Sequence, residues 1–226
     1  MLINGNWADA NEGTTFDVIN PANGEVVGQV PDGDAATAKA AIDAAATAFG
    51  SWSKTTAHAR SAILYKAWQL MLERKEDLAR TMTMEQGKPL RAARTEVQYA
   101  ADFLLWFAEE AKRTYGETIP SARADQRFIV SHYPVGVVAA ITPWNYPVSM
   151  ITRKVGPALA AGCTVVLKPA EATPLSAIKV FEILAEAGVP DGVINLVTTS
   201  NPAPVGEEFV SNPLVRKLTF TGSTAV

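Results

Sequence analysis

Residues 135–174 read VGVVAAITPWNYPVSMITRKVGPALAAGCTVVLKPAEATP, and the order of their textures decides the fold. Val135 to Thr142 is a short apolar run, Val148 to Ala161 carries helix-like spacing, and Thr164 to Leu167 is apolar again. Runs that are continuous and not alternating suit parallel strands buried on both faces. The pattern continues toward the C-terminus: Leu175 to Ala187 reads as helix, Val193 to Val197 as strand, Val205 to Val210 as a short helix and Lys217 to Thr221 as strand. This alternation predicts an α/β fold built on a doubly wound, Rossmann-like parallel sheet. Ligands of such sheets bind beyond the carboxyl ends of the strands, here the residues after Ile141, Leu167 and Phe220.

Working back toward the N-terminus, Phe16 to Ile19 and Val26 to Val30 flank Asn20-Pro21-Ala22-Asn23-Gly24, a hairpin pattern with its turn. The Ala-rich stretch from Asp34 to Phe49 reads as a helix with Asp34 as N-cap and Gly50 just past its end. Two longer helices follow, from about Ala57 to Gln86, stopping at Gly87 and Pro89, and from about Leu90 to Tyr115, stopping at Gly116. Phe128 to Tyr133 is strand-like. An N-terminal hairpin and a helical block thus precede the α/β part.

The 226 residues are 48% hydrophobic and 19% charged, the balance of a globular protein and not of a disordered one. Lys and Arg number 20 against 23 Asp and Glu, a net charge of −3, so no basic excess exists to neutralise a nucleic acid backbone. The longest apolar stretch, Val155 to Leu167, falls short of the roughly 20 residues that a bilayer span needs, so no membrane partner is expected. One cysteine, Cys163, excludes an internal disulfide, and with no secretory leader the chain reads as cytoplasmic.

Three loops follow the strand ends. In Ile141-Thr142-Pro143-Trp144-Asn145-Tyr146-Pro147, two prolines stiffen a loop that delivers Asn145 beside a helix start. Asn145 either caps that helix or offers its amide N–H to a developing oxyanion. In Lys168-Pro169-Ala170-Glu171-Ala172-Thr173-Pro174, a cation and a carboxylate stand three residues apart. They form either a solvated turn, with Thr173 or Glu171 near the helix start, or a site where an acid bonds a ribose hydroxyl of a dinucleotide. Phe220-Thr221-Gly222-Ser223-Thr224 is either an ordinary helix entry or a phosphate-cradling turn without the G-x-G-x-x-G fingerprint.

Together these loops, with Gly156-Pro157-Ala158-Leu159-Ala160-Ala161-Gly162-Cys163, Asn4-Gly5-Asn6-Trp7 and Glu85-Gln86-Gly87-Lys88-Pro89, resemble the aldehyde dehydrogenase superfamily over the whole chain. Met150-Ile151-Thr152-Arg153-Lys154 and Asn212-Pro213-Leu214-Val215-Arg216-Lys217-Leu218 look like its succinate-semialdehyde dehydrogenase branch. The resemblance implies NAD(P)-dependent oxidation of an aldehyde to an acid through a covalent thiohemiacetal and thioester. Asn145 would be the oxyanion donor. Ile141, Thr142, Pro143, Trp144, Lys168, Ala170, Glu171, Gly206, Phe220, Gly222, Ser223 and Val226 would bind the coenzyme, with Glu171 favouring NAD over NADP by repelling a 2′-phosphate. Lys168 tempers that preference, because the matching Lys of NADP-using relatives contacts the extra phosphate. Arg153, eight residues past Asn145 and about two helical turns along, would pair with a substrate carboxylate. The bland alternative is a surface Arg paired with a neighbouring acid. Residues 117–134 resemble the arm that joins subunits, which implies a homo-oligomer.

Members of that family run to roughly twice this length, and their nucleophilic Cys and general-base Glu lie beyond the last residue here. Residues 1–226 are therefore expected to form the N-terminal part of a coenzyme-binding domain, a truncated dehydrogenase without turnover of its own and with an apolar edge prone to association. Cys163, between a helix and a buried strand, is expected to pack as a small hydrophobe, unpaired with His58 or His132. Paired zinc ligands, a G-x-S-x-G elbow and a P-loop are absent from the sequence, and no metal site is expected. Two other readings stay open: a non-catalytic nucleotide-binding or interaction module, and part of a glutarate-semialdehyde dehydrogenase.

Overall fold

A computed structural model describes residues 1–10 and 13–224. The chain opens with short strands β1 (Leu2–Ile3) and β2 (Asn6–Trp7), then the hairpin β3 (Thr15–Ile19) and β4 (Val26–Pro31), paired antiparallel as its turn sequence predicts. Asp34 caps α1 (Ala35–Trp52): its carboxylate accepts the Thr37 N–H at 2.8 Å. The helix runs through Gly50 instead of ending there, because Trp52, 2% exposed, anchors its last turn in the core. That burial outweighs the roughly 1 kcal/mol that an interior glycine costs.

The single long helix expected from Ala57 to Gln86 is two, α2 (Ala57–Glu73) and α3 (Lys75–Gln86), broken at Arg74. Each buries its own stripe, Leu64, Ala67 and Met71 in α2 against Leu78, Ala79 and Met82 in α3, and the Arg74 guanidinium pairs with Glu186 across the break. Gly87, with φ +79°, terminates α3 in the left-handed conformation that favours glycine. Helix α4 (Leu90–Glu110) then ends earlier than expected, in a 3-10 turn at Ala111–Arg113. Strands β5 (Glu117–Pro120) and β6 (Arg127–Val130) form a separate hairpin exposed along its whole length.

The α/β part follows in the expected order: β7 (Val137–Ile141), α5 (Ser149–Ala160), β8 (Thr164–Lys168), α6 (Pro174–Glu186), β9 (Ile194–Leu196), α7 (Pro202–Ser211) and β10 (Val215–Phe220). The sheet order is β10-β7-β8-β9-β1-β2, with the first four strands parallel. The sheet is thus mixed and not purely parallel: β1 lies antiparallel on β9, pairing Leu2 with Leu196, and shields that edge. Side chains alternate in β7 although its sequence does not. Val137 and Ala139 join the α1 and α7 layer, whereas Val138 and Ala140 face α5 and α6, with α2, α3 and α4 stacked beyond. β10 departs from the expectation of burial on both faces, since as an edge strand it leaves Leu218 and Phe220 over 40% exposed. Among the described residues no helix is long and apolar enough to cross a membrane.

Strands β7, β8 and β9 progress in one direction, and α7 then returns the chain to place β10 on the other flank of β7. The carboxyl ends of β7 and β10 form the switch point at which doubly wound sheets bind ligands.

Candidate functional site

The strand ladders continue one residue past the switch point. The Thr142 N–H donates to the Lys168 carbonyl at 3.2 Å, and the Thr221 N–H to the Ile141 carbonyl at 3.1 Å. The three loops singled out in the sequence therefore leave the sheet side by side. Ile141 is half-buried, and Thr142 and Ala170 are buried against the strand ends.

The Lys168 ammonium donates to the Pro169 carbonyl at 2.8 Å and pairs with Glu171. Their side chains are 5% and 41% exposed, so the turn is not a solvated one: the cation is sunk beneath a carboxylate that faces outward. Neither Glu171 nor Thr173 caps α6. Glu85, reaching over from α3, accepts the Leu175 and Ser176 N–H groups, both at 2.8 Å. Burial pushes the Glu85 carboxyl up to about 7, against the pull of those two N–H bonds. A cleft of about 520 Å³ opens here, lined by Trp144, Glu171, Glu85, Phe16, Thr173 and Ser200. Two expected coenzyme residues, Trp144 and Glu171, thus share one cleft although they come from different loops.

At the end of β10 the Phe220 ring folds back over Gly222, where a Cβ would run into it. Ser223 is exposed next to it, and Val226 lies outside the described residues. Gly206, in α7, has open space where a Cβ would stand and does not line the Trp144 cleft. Pro143, half-buried, completes the β7 loop.

Asn145 is exposed and caps nothing, because α5 starts at Ser149 behind Val148 with no side-chain cap. The Val148 and Ser149 N–H groups instead donate to Glu96 Oε1 of α4, at 3.0 and 3.2 Å. Lys88 pairs with the other Glu96 oxygen, donates to the Asn145 backbone carbonyl at 2.8 Å and lies 4.1 Å from the centroid of the Tyr146 ring. The Asn145 side-chain amide makes no hydrogen bond with another described residue. A second cleft, of about 710 Å³, lies on the Tyr146 side, lined by Lys88, Pro89, Glu96, Tyr99, Tyr146 and Met150.

Arg153 forms no ion pair with a described carboxylate, which removes its bland reading. Its guanidinium lies 5.5 Å from the Phe103 centroid and 3.9 Å from Met150 Sδ. It borders a third pocket, of about 260 Å³, with Tyr133, Lys154, Cys163 and Thr219. Lys154 donates to Thr219 Oγ1 at 3.1 Å, and burial, then the neighbouring Arg153, lower its pKa. Cys163 is 4% exposed, packed between α5 and β8, and neither histidine lines its pocket. Asn145, Trp144 and Arg153 are therefore grouped around one helix start without sharing a single cavity. Lys88, Glu85 and Glu96 were not singled out as site residues in the sequence, yet Glu96 carried a signal: it interrupts the apolar face of Ala93, Val97 and Ala100.

A doubly wound sheet with a cleft beyond the carboxyl ends of its strands is the architecture of dinucleotide-binding α/β proteins. The sequence profile of the Aldehyde dehydrogenase family matches residues 7–226, and the chain belongs to that family. It is 59% identical over 225 residues to the succinate-semialdehyde dehydrogenase [NADP(+)] GabD of Escherichia coli K12, covering 100% of this chain and 46% of that protein. It is 56% identical to the glutarate-semialdehyde dehydrogenase of Pseudomonas putida, covering 99% and 46%. Among solved structures, an NADP-dependent enzyme of E. coli superposes with a TM-score of 0.97 at 59% identity, covering 99% of this chain and 46% of that one. Betaine aldehyde dehydrogenase of Staphylococcus aureus, in complex with NAD+, gives 0.95 at 38% identity, covering 98% and 45%. The fold is that of the N-terminal part of these enzymes, and the chain spans about half the length of the curated relatives it matches.

Proposed function

We propose that these residues form the coenzyme-binding part of a nicotinamide-dependent dehydrogenase that oxidises succinate semialdehyde to the acid. The observation that carries this reading is the cleft shared by Trp144 and Glu171 beyond the carboxyl ends of β7 and β8, with the Asn145 amide exposed on the same loop as Trp144. Lys168 and Glu171 hold the ribose turn, and Ile141, Thr142, Pro143, Ala170, Gly206, Phe220, Gly222 and Ser223 complete the coenzyme contacts. The fit is supported at the Lys168–Glu171 turn, where an outward-facing carboxylate lines the cleft above a buried cation. When bound, the coenzyme supplies the acceptor for the hydride leaving the aldehyde carbon. Asn145 stabilises the oxyanion formed at that carbon, a contribution of roughly 2.7–4 kcal/mol where such donors have been removed.

NAD is the preferred coenzyme in this proposal, although the E. coli relative's name carries NADP(+). The outward-facing Glu171 meets a 2′-phosphate with like charge, and its pairing with Lys168 engages the cation that would otherwise attract that phosphate. Arg153, free of any described carboxylate, takes the substrate's distal carboxylate. Glutarate semialdehyde is the second reading, favoured by the Pseudomonas relative. Residues 117–134 contribute a subunit-joining arm, since both strands of this hairpin are exposed and carry Ile119, Phe128 and Ile129. The single, buried thiol suits the reducing cytoplasm. Residues 1–226 by themselves bind coenzyme without turnover, because Cys163 is buried at the start of β8, the opposite end of the strands from the Asn145 loop; as a bare binding module the chain would behave the same way.

Calorimetric titration of the 226-residue chain with NAD and with NADP tests the assignment. Binding is expected to be tighter for NAD and lost in the Lys168→Ala/Glu171→Ala double variant. Unaltered binding in that variant removes the ribose-turn assignment, and stoichiometric NADH production from succinic semialdehyde by the pure chain refutes its inactivity.

A further inference from the structure

The loop from Thr142 to Pro147 carries the amide on which the proposed chemistry depends, yet none of its own side chains makes a hydrogen bond with another described residue. Its backbone is held instead from the helical block. Lys88 donates to the Asn145 carbonyl at 2.8 Å, and Glu96 accepts from Val148 and Ser149 just past the loop. The two anchors are one unit, since Lys88 and Glu96 are ion-paired, with side chains only 12% and 1% exposed. Lys88 itself is fixed between Gly87 in the left-handed region and Pro89, whose ring sets φ near −53°. Its ammonium also lies over the Tyr146 ring, so the residues on both sides of the Asn145–Tyr146 peptide group are gripped by one cation.

We propose that the Lys88–Glu96 pair is a positioning device for the Asn145 amide: it fixes the peptide that follows Asn145, and with it the direction of the Asn145 side chain, without touching substrate or coenzyme. This rests on Asn145 being the oxyanion donor. A donor that stabilises a transition state must meet the oxygen within a few tenths of an ångström, and misplacement by about 1 Å costs on the order of 100-fold. Lys88 therefore acts on kcat and leaves coenzyme affinity unchanged.

The test is a double-mutant cycle in the full-length protein, with Lys88→Met, Lys88→Arg, Asn145→Ala and the Lys88→Met/Asn145→Ala pair. Lys88→Met is expected to lower kcat about 10- to 100-fold with the KM for NAD within about twofold of wild type, Lys88→Arg to recover most of the loss, and the double variant to match Asn145→Ala alone. Should Lys88→Met not fold, Glu96→Gln replaces it in the cycle, since it keeps an oxygen for Val148 and Ser149 while releasing Lys88. An unchanged kcat, or losses that multiply in the double variant, would overturn the positioning role. Asn145→Ala with full activity would instead refute the oxyanion assignment, which separates the two failures.

Discussion

Glu85 is a carboxyl group 2% exposed, and its replacement by glutamine gives a quantitative test of how the α6 N-terminus is built. Its pKa stands at about 7 in the folded protein against 4.5 for an ordinary glutamate, with burial as the main cause. The folded state therefore holds the proton more tightly than the unfolded chain. The stability that Glu85 contributes is full below pH 4.5, falls as pH rises, and levels off above pH 7. The interval corresponds to roughly 3 kcal/mol, or on the order of 10 °C in Tm for a chain of this size. Glu85→Gln cannot titrate. It keeps one acceptor for the Leu175 and Ser176 N–H groups and presents an amide N–H to the other, so it starts less stable at pH 5. The Tm difference between wild type and variant, followed by circular dichroism from pH 5 to 8, is expected to shrink by most of that amount. Taking the difference cancels every other titrating group. Parallel curves would refute the argument, and a difference that widens with pH would mean that the two N–H bonds and the helix dipole outweigh desolvation.

Other expectations concern the core, a turn and the substrate. Phe181→Ala, at a fully buried position of α6, is expected to cost about 3–5 kcal/mol in urea unfolding; a loss below about 1 kcal/mol would show that the α2–α6 layer collapses around the gap. Gly87→Ala places a Cβ at φ +79° and 2.9 Å from Pro21 Cγ, and should cost about 1–2 kcal/mol by the same measurement. Arg153→Ala in the full-length protein should lower kcat/KM for succinic semialdehyde about 10- to 100-fold and leave an uncharged aldehyde unaffected. Equal kcat/KM for wild type and variant on the charged substrate would discard the carboxylate role.

The parallel strands were legible because each is a short apolar run closed by its own loop, and β7, β8 and β9 appear within two residues of where the sequence puts them. The break at Arg74 was not, because nothing in the polar stretch Glu73 to Asp77 stops a helix; what splits α2 from α3 is that each packs a different stripe, a tertiary demand invisible to local propensity. The antiparallel docking of β1 on the β9 edge escaped for a similar reason, since a two-residue strand carries no periodicity and is defined by the edge it covers. In the site, the sequence brought forward the residues that follow strand ends. It missed those that arrive from the helical block, where Glu85 and Lys88 read as the end of a helix and a turn.

That division has a physical origin. Both α5 and α6 start at the ligand-binding edge of the sheet, where their first N–H groups need acceptors. A locally supplied cap would have to come from Asn145, or from Glu171 or Thr173, and at the first two would tie up side chains that the proposed function uses. Capping is instead delegated: Glu96 serves α5 and Glu85 serves α6, both from helices laid across the sheet. The far end of α5 is treated alike, since buried Arg60 of α2 donates to the Ala160 carbonyl at 2.9 Å. Helix α5 is thus held between a carboxylate at its positive end and a guanidinium at its negative end, each from a different helix of the block. Separating the block from the sheet would strip both ends of α5 of these partners. The helices before residue 117 consequently belong to the same folding unit as the sheet, and they leave the Asn145 amide and the Glu171 carboxylate available at its rim.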